Sequence, residues 1–303
     1  MAIYPKDFKI LKKASNSSEI DTPLVSIVIP TYNRSNFIRD AIRSAISQDY
    51  QSFEIVICDN HSTDDTIPQV MRIASGLDNI TVLLWDMNVG PVANWLSGVE
   101  QCRGQYVKIL FSDDELNNDC LSQMVANMSE GIGFVYSACL VGESRSTATL
   151  SYVDSSRQVD SPAVYHSSRG FTRYMLGRSM PVSPCAALFP KDIILNSLSK
   201  SMEDPPCCDA LNLGAGPDIK IFFDALIHNP YYCHIPNPLV FFKSHSQSFT
   251  NGRNAQVRRC YARSISKYSK SFPLYARLLR KTKLFLDLPK TIFKLIAKSS
   301  SLG

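Results

Sequence analysis

The chain has 303 residues, of which 45% are hydrophobic and 19% are charged. These values are typical of a globular protein with a sizeable core, either one large α/β domain with an appendage or two modest domains. No apolar run approaches the roughly 18 residues of a membrane-spanning helix, so we expect none. Residues 1–22 lack the apolar segment of a signal peptide, and we expect them to form a loose polar leader.

The charge is distributed unevenly. The net charge is +5, but residues 253–303 carry 13 Lys and Arg with one acidic residue, and the remainder carries 19 basic and 26 acidic residues. This asymmetry predicts a mildly acidic body and a strongly basic tail with different roles. The nine cysteines show no C-x-x-C pair and no metal-finger spacing, so we expect them to fill core positions in a reducing compartment.

The first half of the chain alternates between strand and helix patterns. Hydrophobic periodicity predicts strands at 25–30, 53–58, 80–85 and 106–111, with helices at 37–46, 66–75 and 90–101 between them. This alternation predicts an α/β fold with a doubly wound, mostly parallel sheet flanked by helices. Because ligands bind outside the carboxyl ends of such strands, we expect the polar clusters 31–34, 59–64 and 112–115 to meet in one cleft.

The most informative stretch is the strand at 106–111 and the acidic cluster that follows it, Ser112-Asp113-Asp114-Glu115. Carboxylates crowded at the end of a buried strand repel one another and are costly to desolvate. They become favourable around a divalent cation, which can bridge carboxylates to phosphates. The alternative is that these acids only begin the next helix, where Asp and Glu are preferred.

The second half of the chain carries weaker signals. We expect a variable loop at 142–161 and a helix beginning near Asp218. The remaining predicted elements are a strand at 132–141, a helix at 171–180, a strand at 182–189 and a strand at 239–248 that contains His245.

The motifs that are present and absent narrow the class of ligand that the cleft could bind. No G-x-G-x-x-G follows the first strand and no P-loop sequence occurs, which disfavours dinucleotide and P-loop sites. The acidic residues could bind a nucleobase, a ribose and a metal held by a diphosphate. This combination suits a nucleoside diphosphate-sugar. In four blocks the sequence resembles the family 2 glycosyltransferases of the GT-A fold, at residues 23–34, 55–66, 88–98 and 103–115.

This resemblance implies a donor site at the ends of the first strands. The nucleotide would lie along Pro30, Thr31, Asn33 and Arg34, and Asp59 would bind the nucleobase.

The resemblance also implies metal-binding and catalytic residues. Asp113 and Asp114 would form the acidic motif that contacts the ribose and a Mg²⁺ or Mn²⁺ ion, with Asp113 the preferred ligand. His245 would face the diphosphate or the metal, and Asp218 would be the general base. Many relatives have an Asp two positions before Asp113, where this chain has Phe111, so fewer carboxylates are left for a metal.

Structural roles stay open for several of these residues. Asp59 and Asp64 suit turns and helix caps, Gly-Pro-Asp218 suits a plain helix start, and a lone His245 is usually structural. Within the helix at 90–101, Asn94 lies on the same face as a glycine, and it either reaches the cleft or is structural.

The basic tail is predicted to be an amphipathic helix. Its apolar face is formed by Leu274, Tyr275, Leu278, Leu279, Phe285 and Leu286, and a second piece after Pro289 contains Ile292, Phe293 and Ile296. Such a helix favours an anionic membrane surface. Packing on its own domain is an alternative, and we expect no nucleic-acid partner because the body is acidic and the tail has no nucleic-acid module.

The resemblance implies an inverting, metal-dependent glycosyltransferase, and the basic tail places it on the cytoplasmic membrane face. It would transfer sugar from a nucleotide donor to a lipid-linked saccharide, as in O-antigen-like polysaccharide assembly; the F-S-D-D-E motif most resembles the abequosyltransferase-like branch. We expect a leader at 1–22, a GT-A domain at 23–250 with nucleotide and acceptor halves divided at residue 130, and a tail at 251–303. Rival hypotheses are a transferase with a protein or soluble acceptor, and a non-catalytic sugar-nucleotide-binding scaffold suggested by Phe111.

Overall fold

A computed structural model describes residues 8–15, 23–153, 160–177, 179–207, 209–246 and 254–279. Within these ranges eleven strands form one sheet. They are β1 Phe8–Lys12, β2 Val25–Thr31, β3 Phe53–Asp59, β4 Ile80–Trp85, β5 Tyr106–Ile109, β6 Glu115–Leu116, β7 Ile132–Gly142, β8 Thr149–Ser151, β9 Ala163–His166, β10 Ala187–Pro190 and β11 Tyr231–Lys243.

The sheet has the strand order β1-β4-β3-β2-β5-β10-β7-β11-β6, with β8 beside β7 and β9 beside β11. Strands β4, β3, β2 and β5 run parallel to one another, and β7 is parallel to β11. β2 is buried along all seven residues, as its high content of Val and Ile predicts for a central parallel strand. The prediction of an α/β fold with a mostly parallel central sheet is confirmed.

Helices cover both faces of the sheet. They are α1 Ile38–Ile46, α2 Thr66–Ala74, α3 Pro91–Glu100, α4 Cys120–Ala126, α5 Ser167–Met175, α6 Lys191–Glu203, α7 Ala210–Leu213, α8 Pro217–His228 and α9 Asn254–Tyr268. One core lies under α3, α5, α6 and α8, and the other lies under α1, α2 and α4. α3 fits closely because a Cβ at Gly98 would lie 2.7 Å from Cγ1 of Val28.

A buried polar network joins the amino-terminal ends of β2, β3 and β5. Glu54 is 2% exposed and accepts hydrogen bonds from the Ser26 hydroxyl at 2.7 Å and from the Arg103 backbone N–H at 2.6 Å. Its other carboxylate oxygen pairs with Nε of Arg103 at 2.7 Å. The network therefore lies at the opposite edge of the sheet from the polar clusters that follow β2 and β3.

Several predicted elements differ from the structure. Residues 8–12, expected in a loose leader, form β1, which pairs with β4. The loop expected at 142–161 contains the short strand β8, which pairs with β7. The strand expected at 182–189 is a 3₁₀ turn at Pro184–Ala186 followed by β10, because a proline cannot donate to a sheet ladder.

Other predictions differ only in their boundaries. The strand at 106–111 ends at Ile109, the helix at 171–180 runs from Ser167 to Met175, and the strand at 239–248 is β11, which begins at Tyr231 and ends at Lys243. Side-chain periodicity defines the middle of an element better than its ends.

The described part of the basic tail packs on the domain through α9 and a helical segment at 274–279. In that segment Ala276 is fully buried, whereas Leu274, Tyr275 and Leu278 are exposed. The apolar face predicted from Phe285 onward lies outside the described residues. Among the described residues, we find no helix with the length and hydropathy of a membrane span.

Candidate active site

The carboxyl ends of β2 and β3 bring the first two polar clusters together. Pro30 and Thr31 pair in register with Cys58 and Asp59. The chain then turns sharply at Asn33, which has a φ of 51°, a left-handed conformation that Asn tolerates better than most residues.

Asp59 is fully buried and is held by Ser62. One carboxylate oxygen accepts the Ser62 backbone N–H at 2.7 Å, and the other accepts its hydroxyl at 2.5 Å. Burial raises the pKa of Asp59, and the two hydrogen bonds from Ser62 oppose that rise. The Ser62 hydroxyl also accepts the Asn33 backbone N–H at 2.8 Å, which connects the β3 loop to the β2 loop.

Asp64 lies just before α2 and accepts hydrogen bonds from the first residue of that helix, Thr66. Its carboxylate accepts hydrogen bonds from the backbone N–H and the hydroxyl of Thr66 and from the Ser35 backbone N–H. Burial alone would raise the pKa of Asp64, but the hydrogen bonds from Thr66 and Ser35 together lower it. Asp64 therefore orients the start of α2 and the loop after β2.

Asp113 lies at the centre of a second group of contacts. Its Oδ2 is 3.1 Å from Nε2 of His245 and 3.7 Å from Nε of Arg34. The His245 ring stacks on Phe37 with ring centroids 4.1 Å apart. Residues Arg34, Asp113 and His245, which we call the charged triad, thus join three segments that are far apart in the sequence.

The two acids after Asp113 face different partners. Asp114 is 7% exposed, and its carboxylate accepts the Lys243 backbone N–H at 3.2 Å. Burial and the neighbouring Asp113 raise the pKa of Asp114 well above its ordinary value. Glu115 pairs with Arg145 at 3.2 Å. Asp113 therefore remains the member of the acidic cluster that meets His245.

Two buried polar atoms beside Asp59 have no hydrogen-bond partner among the described residues. They are Oγ1 of Thr31 and Oδ1 of Asn94, on side chains that are 3% and 2% exposed. The amide nitrogen of Asn94 donates to the Cys58 carbonyl at 2.8 Å, so this side chain has a structural contact and a spare acceptor. Buried polar atoms are usually hydrogen-bonded, so these two oxygens have hydrogen-bonding capacity that the described residues do not use.

Asp218 lies in the first turn of α8 and is 7% exposed. Its Oδ1 accepts the backbone N–H groups of Gly216 and Ile219, each at 2.7 Å, and its Oδ2 accepts the hydroxyl of Tyr261. Burial raises the pKa of Asp218 to about 7, and these hydrogen bonds oppose the rise. A carboxyl group with this pKa can exchange a proton near neutral pH.

A chain of contacts connects the start of α8 to the acidic cluster. Gly214, just before α8, has a φ of 64°, and a Cβ there would lie 2.7 Å from the Trp95 ring. The Trp95 ring in turn packs on Phe111, with centroids 5.3 Å apart. The structure thus brings Asp59 and the charged triad into one group of connected loops. Trp95 joins this group to Gly214, four residues before Asp218.

Two members of the charged triad, Asp113 and His245, are of the ligand types that divalent cations bind, whereas the Arg34 guanidinium is not. Asp113 supplies a carboxylate and His245 an imidazole, both of which bind Mn²⁺, while Mg²⁺ keeps most of its ligands from water and substrate phosphates. No group of three or more His, Cys, Asp or Glu side chains suited to a metal occurs in the described residues. Two protein ligands match a site that a substrate diphosphate would complete.

A separate cavity of about 480 Å³ lies between α1 and β6 and is lined by residues that include Arg43, Glu115 and Arg145. Neither Asp59 nor Asp113 nor Asp218 lines it. The buried unsatisfied atoms and the charged triad are a better guide to the chemistry than the size of this open groove.

Sequence reasoning missed Tyr261 and Phe37. Tyr261 is 43 residues from Asp218 in the chain and was assigned to the basic tail. No local motif signals such a contact; only the helical spacing of Val257, Tyr261 and Ser264 indicates that one face of α9 is covered.

The family is established by comparison with known proteins. A profile described as glycosyl transferase family 2 matches residues 26–189, more than half of the chain. The chain belongs to glycosyl transferase family 2.

Two relatives illustrate the sequence similarity. The GalNAc(5)-diNAcBac-PP-undecaprenol β-1,3-glucosyltransferase of Campylobacter jejuni is 34% identical over 120 residues, 39% of this chain and 39% of that protein. The putative teichuronic acid biosynthesis glycosyltransferase TuaG of Bacillus subtilis is 32% identical over 108 residues, 36% of this chain and 43% of that protein. The chain thus spans about two fifths of the length of these relatives.

Solved structures share the fold. The crystal structure of Staphylococcus aureus TarS residues 1–349 in complex with UDP has a TM-score of 0.58 at 18% identity, covering 86% of this chain and 70% of that one. The mannosyltransferase PcManGT from Pyrobaculum calidifontis, in complex with GDP-Man and Mn²⁺, has a TM-score of 0.52 at 16% identity, covering 88% and 81%. The chain therefore has the GT-A type of fold.

Proposed function

We propose that the protein is an inverting, metal-dependent glycosyltransferase that uses a nucleoside diphosphate-sugar donor. The observation that carries this proposal is the charged triad beside buried Asp59, at the carboxyl edge of the sheet. A carboxylate, an imidazole and a guanidinium that meet there offer ligands for a cation and a donor to phosphate oxygens.

The proposed donor site follows the ends of β2, β3 and β5. The nucleotide lies along Pro30, Thr31, Asn33 and Arg34 and contacts Asp59, Asn94, Asp113 and Asp114. The spare acceptors on Thr31 and Asn94 support this assignment, because a ligand with N–H or O–H groups would satisfy them.

Asp113 and His245 would hold the proposed Mg²⁺ or Mn²⁺ ion. When bound, the ion supplies positive charge beside the diphosphate. The complex of PcManGT with GDP-Man and Mn²⁺ supports the use of a divalent cation in this fold.

Asp218 is the proposed general base. The acceptor hydroxyl attacks the anomeric carbon from the face opposite the diphosphate, and the bond from that carbon to the diphosphate breaks. The diphosphate leaves with the bonding electrons, while the hydroxyl proton passes to Oδ2 of Asp218. Attack from the opposite face inverts the anomeric centre, and a pKa of about 7 suits a base that acts near neutral pH.

The proposed acceptor is a lipid-linked saccharide in O-antigen-like polysaccharide assembly, used at the inner face of the cytoplasmic membrane. The similarity to an enzyme named for an undecaprenol-linked substrate supports this acceptor class. Exposed Leu274, Tyr275 and Leu278 next to the basic sequence support a peripheral contact with anionic lipid. In this scheme residues 23–250 form the catalytic domain and residues 251–303 the membrane-facing tail.

The donor assignment is tested by calorimetric titration of UDP-, GDP-, CDP- and dTDP-sugars with and without Mn²⁺, followed by assays of donor hydrolysis. We expect one nucleotide class to bind in a Mn²⁺-dependent manner and to be hydrolysed by the wild type but not by Asp113→Asn. Binding of a donor without turnover would favour the scaffold hypothesis, and no binding of any donor would refute the proposal.

The membrane assignment has its own test. We expect the full chain to sediment with vesicles that contain phosphatidylglycerol and not with pure phosphatidylcholine vesicles, and Leu274→Ser/Leu278→Ser to weaken that binding. Full activity on the native acceptor after removal of residues 280–303 would instead favour a protein or soluble acceptor.

A further inference from the structure

The inner face of α9 covers the beginning of α8. Val257, Cys260 and Ser264 on α9 are all buried. The approach is close at Gly216, which has a φ of 112° and where a Cβ would lie only 2.2 Å from the Ser264 hydroxyl. Only glycine fits at that position, so the start of α8 is shaped to receive α9.

Tyr261 lies on this covered face and donates its hydroxyl to Oδ2 of Asp218. The other carboxylate oxygen, Oδ1, is held by two backbone N–H groups of the α8 start. Each oxygen is therefore fixed by a different element, and the carboxylate plane is defined by α8 and α9 together. A carboxylate oxygen has two lone pairs, so Oδ2 can accept the Tyr261 hydroxyl and still face a second O–H group.

We propose that Tyr261 is a positioning residue for Asp218, so that α9, although part of the basic tail, completes the acceptor side of the active site. This inference rests on the proposed function. Tyr261 would hold Oδ2 in the orientation that receives the acceptor proton, and it would stabilise the ionised form of the carboxyl group by donating to it.

The surroundings of Asp218 make the effect of Tyr261 measurable. Among the described residues, Tyr261 on α9 donates to Asp218, and Tyr152 after β8 and Tyr174 on α5 are close enough to interact with it electrostatically. Burial raises the pKa of all three, so none carries a charge at neutral pH. The ionisation of Asp218 is thus set by burial against its hydrogen bonds.

The test is the pH dependence of kcat/KM between pH 5.5 and 9 for Tyr261→Phe. The assay is Mn²⁺-dependent hydrolysis of UDP-GlcNAc, UDP-glucose, GDP-mannose, CDP-glucose and dTDP-glucose, using each donor that the wild type turns over. Loss of the hydroxyl raises the pKa of Asp218. The acid limb, the part of the profile where kcat/KM falls as the pH is lowered, should therefore move up by about one pH unit. The rate then falls by about tenfold at pH 6 and little at pH 9.

A control on the same helix isolates this contact. Tyr268→Phe also removes a hydroxyl from α9, at a position that packs against Lys220 and not against Asp218. We expect its acid limb to coincide with that of the wild type. Replacing Tyr261 by 3-fluorotyrosine keeps the packing and makes the hydroxyl a stronger donor, so it should move the acid limb downward even where Tyr261→Phe does not fold.

The outcomes separate this inference from the proposed function. No turnover of any of these donors overturns the proposed function and this inference with it. Full activity in Asp218→Asn overturns the role of Asp218 as the base, and therefore that of Tyr261, but leaves the donor assignment standing. A third result overturns only the role of Tyr261. In that case Asp218→Asn is inactive, but the acid limbs of Tyr261→Phe and of the fluorotyrosine variant coincide with that of the wild type. A uniform loss of rate at all pH values in Tyr261→Phe would likewise assign Tyr261 a purely structural role.

Discussion

The buried network around Glu54 gives a sharp prediction about stability. Glu54→Gln keeps the side-chain volume and removes the negative charge that pairs with Arg103 at 2.7 Å. Glu54 also accepts hydrogen bonds from Ser26 and from the Arg103 backbone. The substitution therefore weakens the contact that ties the amino-terminal ends of β2, β3 and β5.

The magnitude follows from the burial of the two partners. Breaking a buried ion pair from one side costs about 3–5 kcal/mol, because the remaining charge loses its partner in a medium of low polarity. The Glu54 side chain is 2% exposed but that of Arg103 is 34% exposed, so water screens part of this loss. We therefore expect a decrease of about 3 kcal/mol in the free energy of unfolding, at the lower end of that range.

The assay is urea unfolding at pH 7.5, with Lys9→Ala as the matched control. Lys9 pairs with Asp86 at a similar distance, 2.9 Å, but the two side chains are 69% and 49% exposed, so its loss should cost about 1 kcal/mol or less. Because Glu54 lies at the edge opposite the charged triad, donor affinity should be unchanged while the variant is folded. Equal effects of Glu54→Gln and Lys9→Ala would refute this reasoning.

Three further predictions concern the acceptor side. Burial raises the pKa of Asp218 to about 7, so the folded state binds this proton more tightly than the unfolded state. As the pH rises from 4 to 7, the wild type should therefore lose up to about 4 kcal/mol of stability relative to Asp218→Asn. If the melting temperatures of the two proteins change in parallel with pH, this prediction is wrong. Gly214→Ala should lower the free energy of unfolding in urea by about 2–3 kcal/mol. The φ of Gly214 is 64°, and the new Cβ would lie 2.7 Å from the Trp95 ring. An unchanged free energy of unfolding would show that the Trp95 ring does not pack against Gly214. The sulfurs of Cys207 and Cys260 lie 2.9 Å apart, so diamide should link them and stabilise the chain by up to about 4 kcal/mol, as peptide mapping and thermal unfolding would report; no such peptide would contradict the position of α9.

The sequence was most informative where burial imposes a simple pattern. β2, β3 and β4 lie inside the sheet and are rich in Val, Ile and Leu, and their predicted positions agree with the structure to within one residue. Because the carboxyl ends of parallel strands lie at the same end of the sheet, the polar residues that follow these strands were expected to meet there.

The sequence was least informative where a contact joins distant segments. β1 at residues 8–12 is an edge strand with exposed side chains, so its pattern carries no sign of burial. Tyr261 is a tyrosine on a basic helix, and only the folded chain brings its hydroxyl to Asp218. The tail was therefore predicted as a membrane-facing segment, and its packing on the domain through α9 was named only as an alternative.

The central claim is that loops from separate strands bind one sugar nucleotide through a cation, and a crystal structure with the donor and Mn²⁺ tests it most directly. We expect the nucleobase at Asp59, the diphosphate and ion between Asp113, His245 and Arg34, and the anomeric carbon on the side that Asp218 faces. A nucleotide bound in the groove lined by Arg43 and Arg145, or an Asp218 that opens into a different pocket, would contradict it.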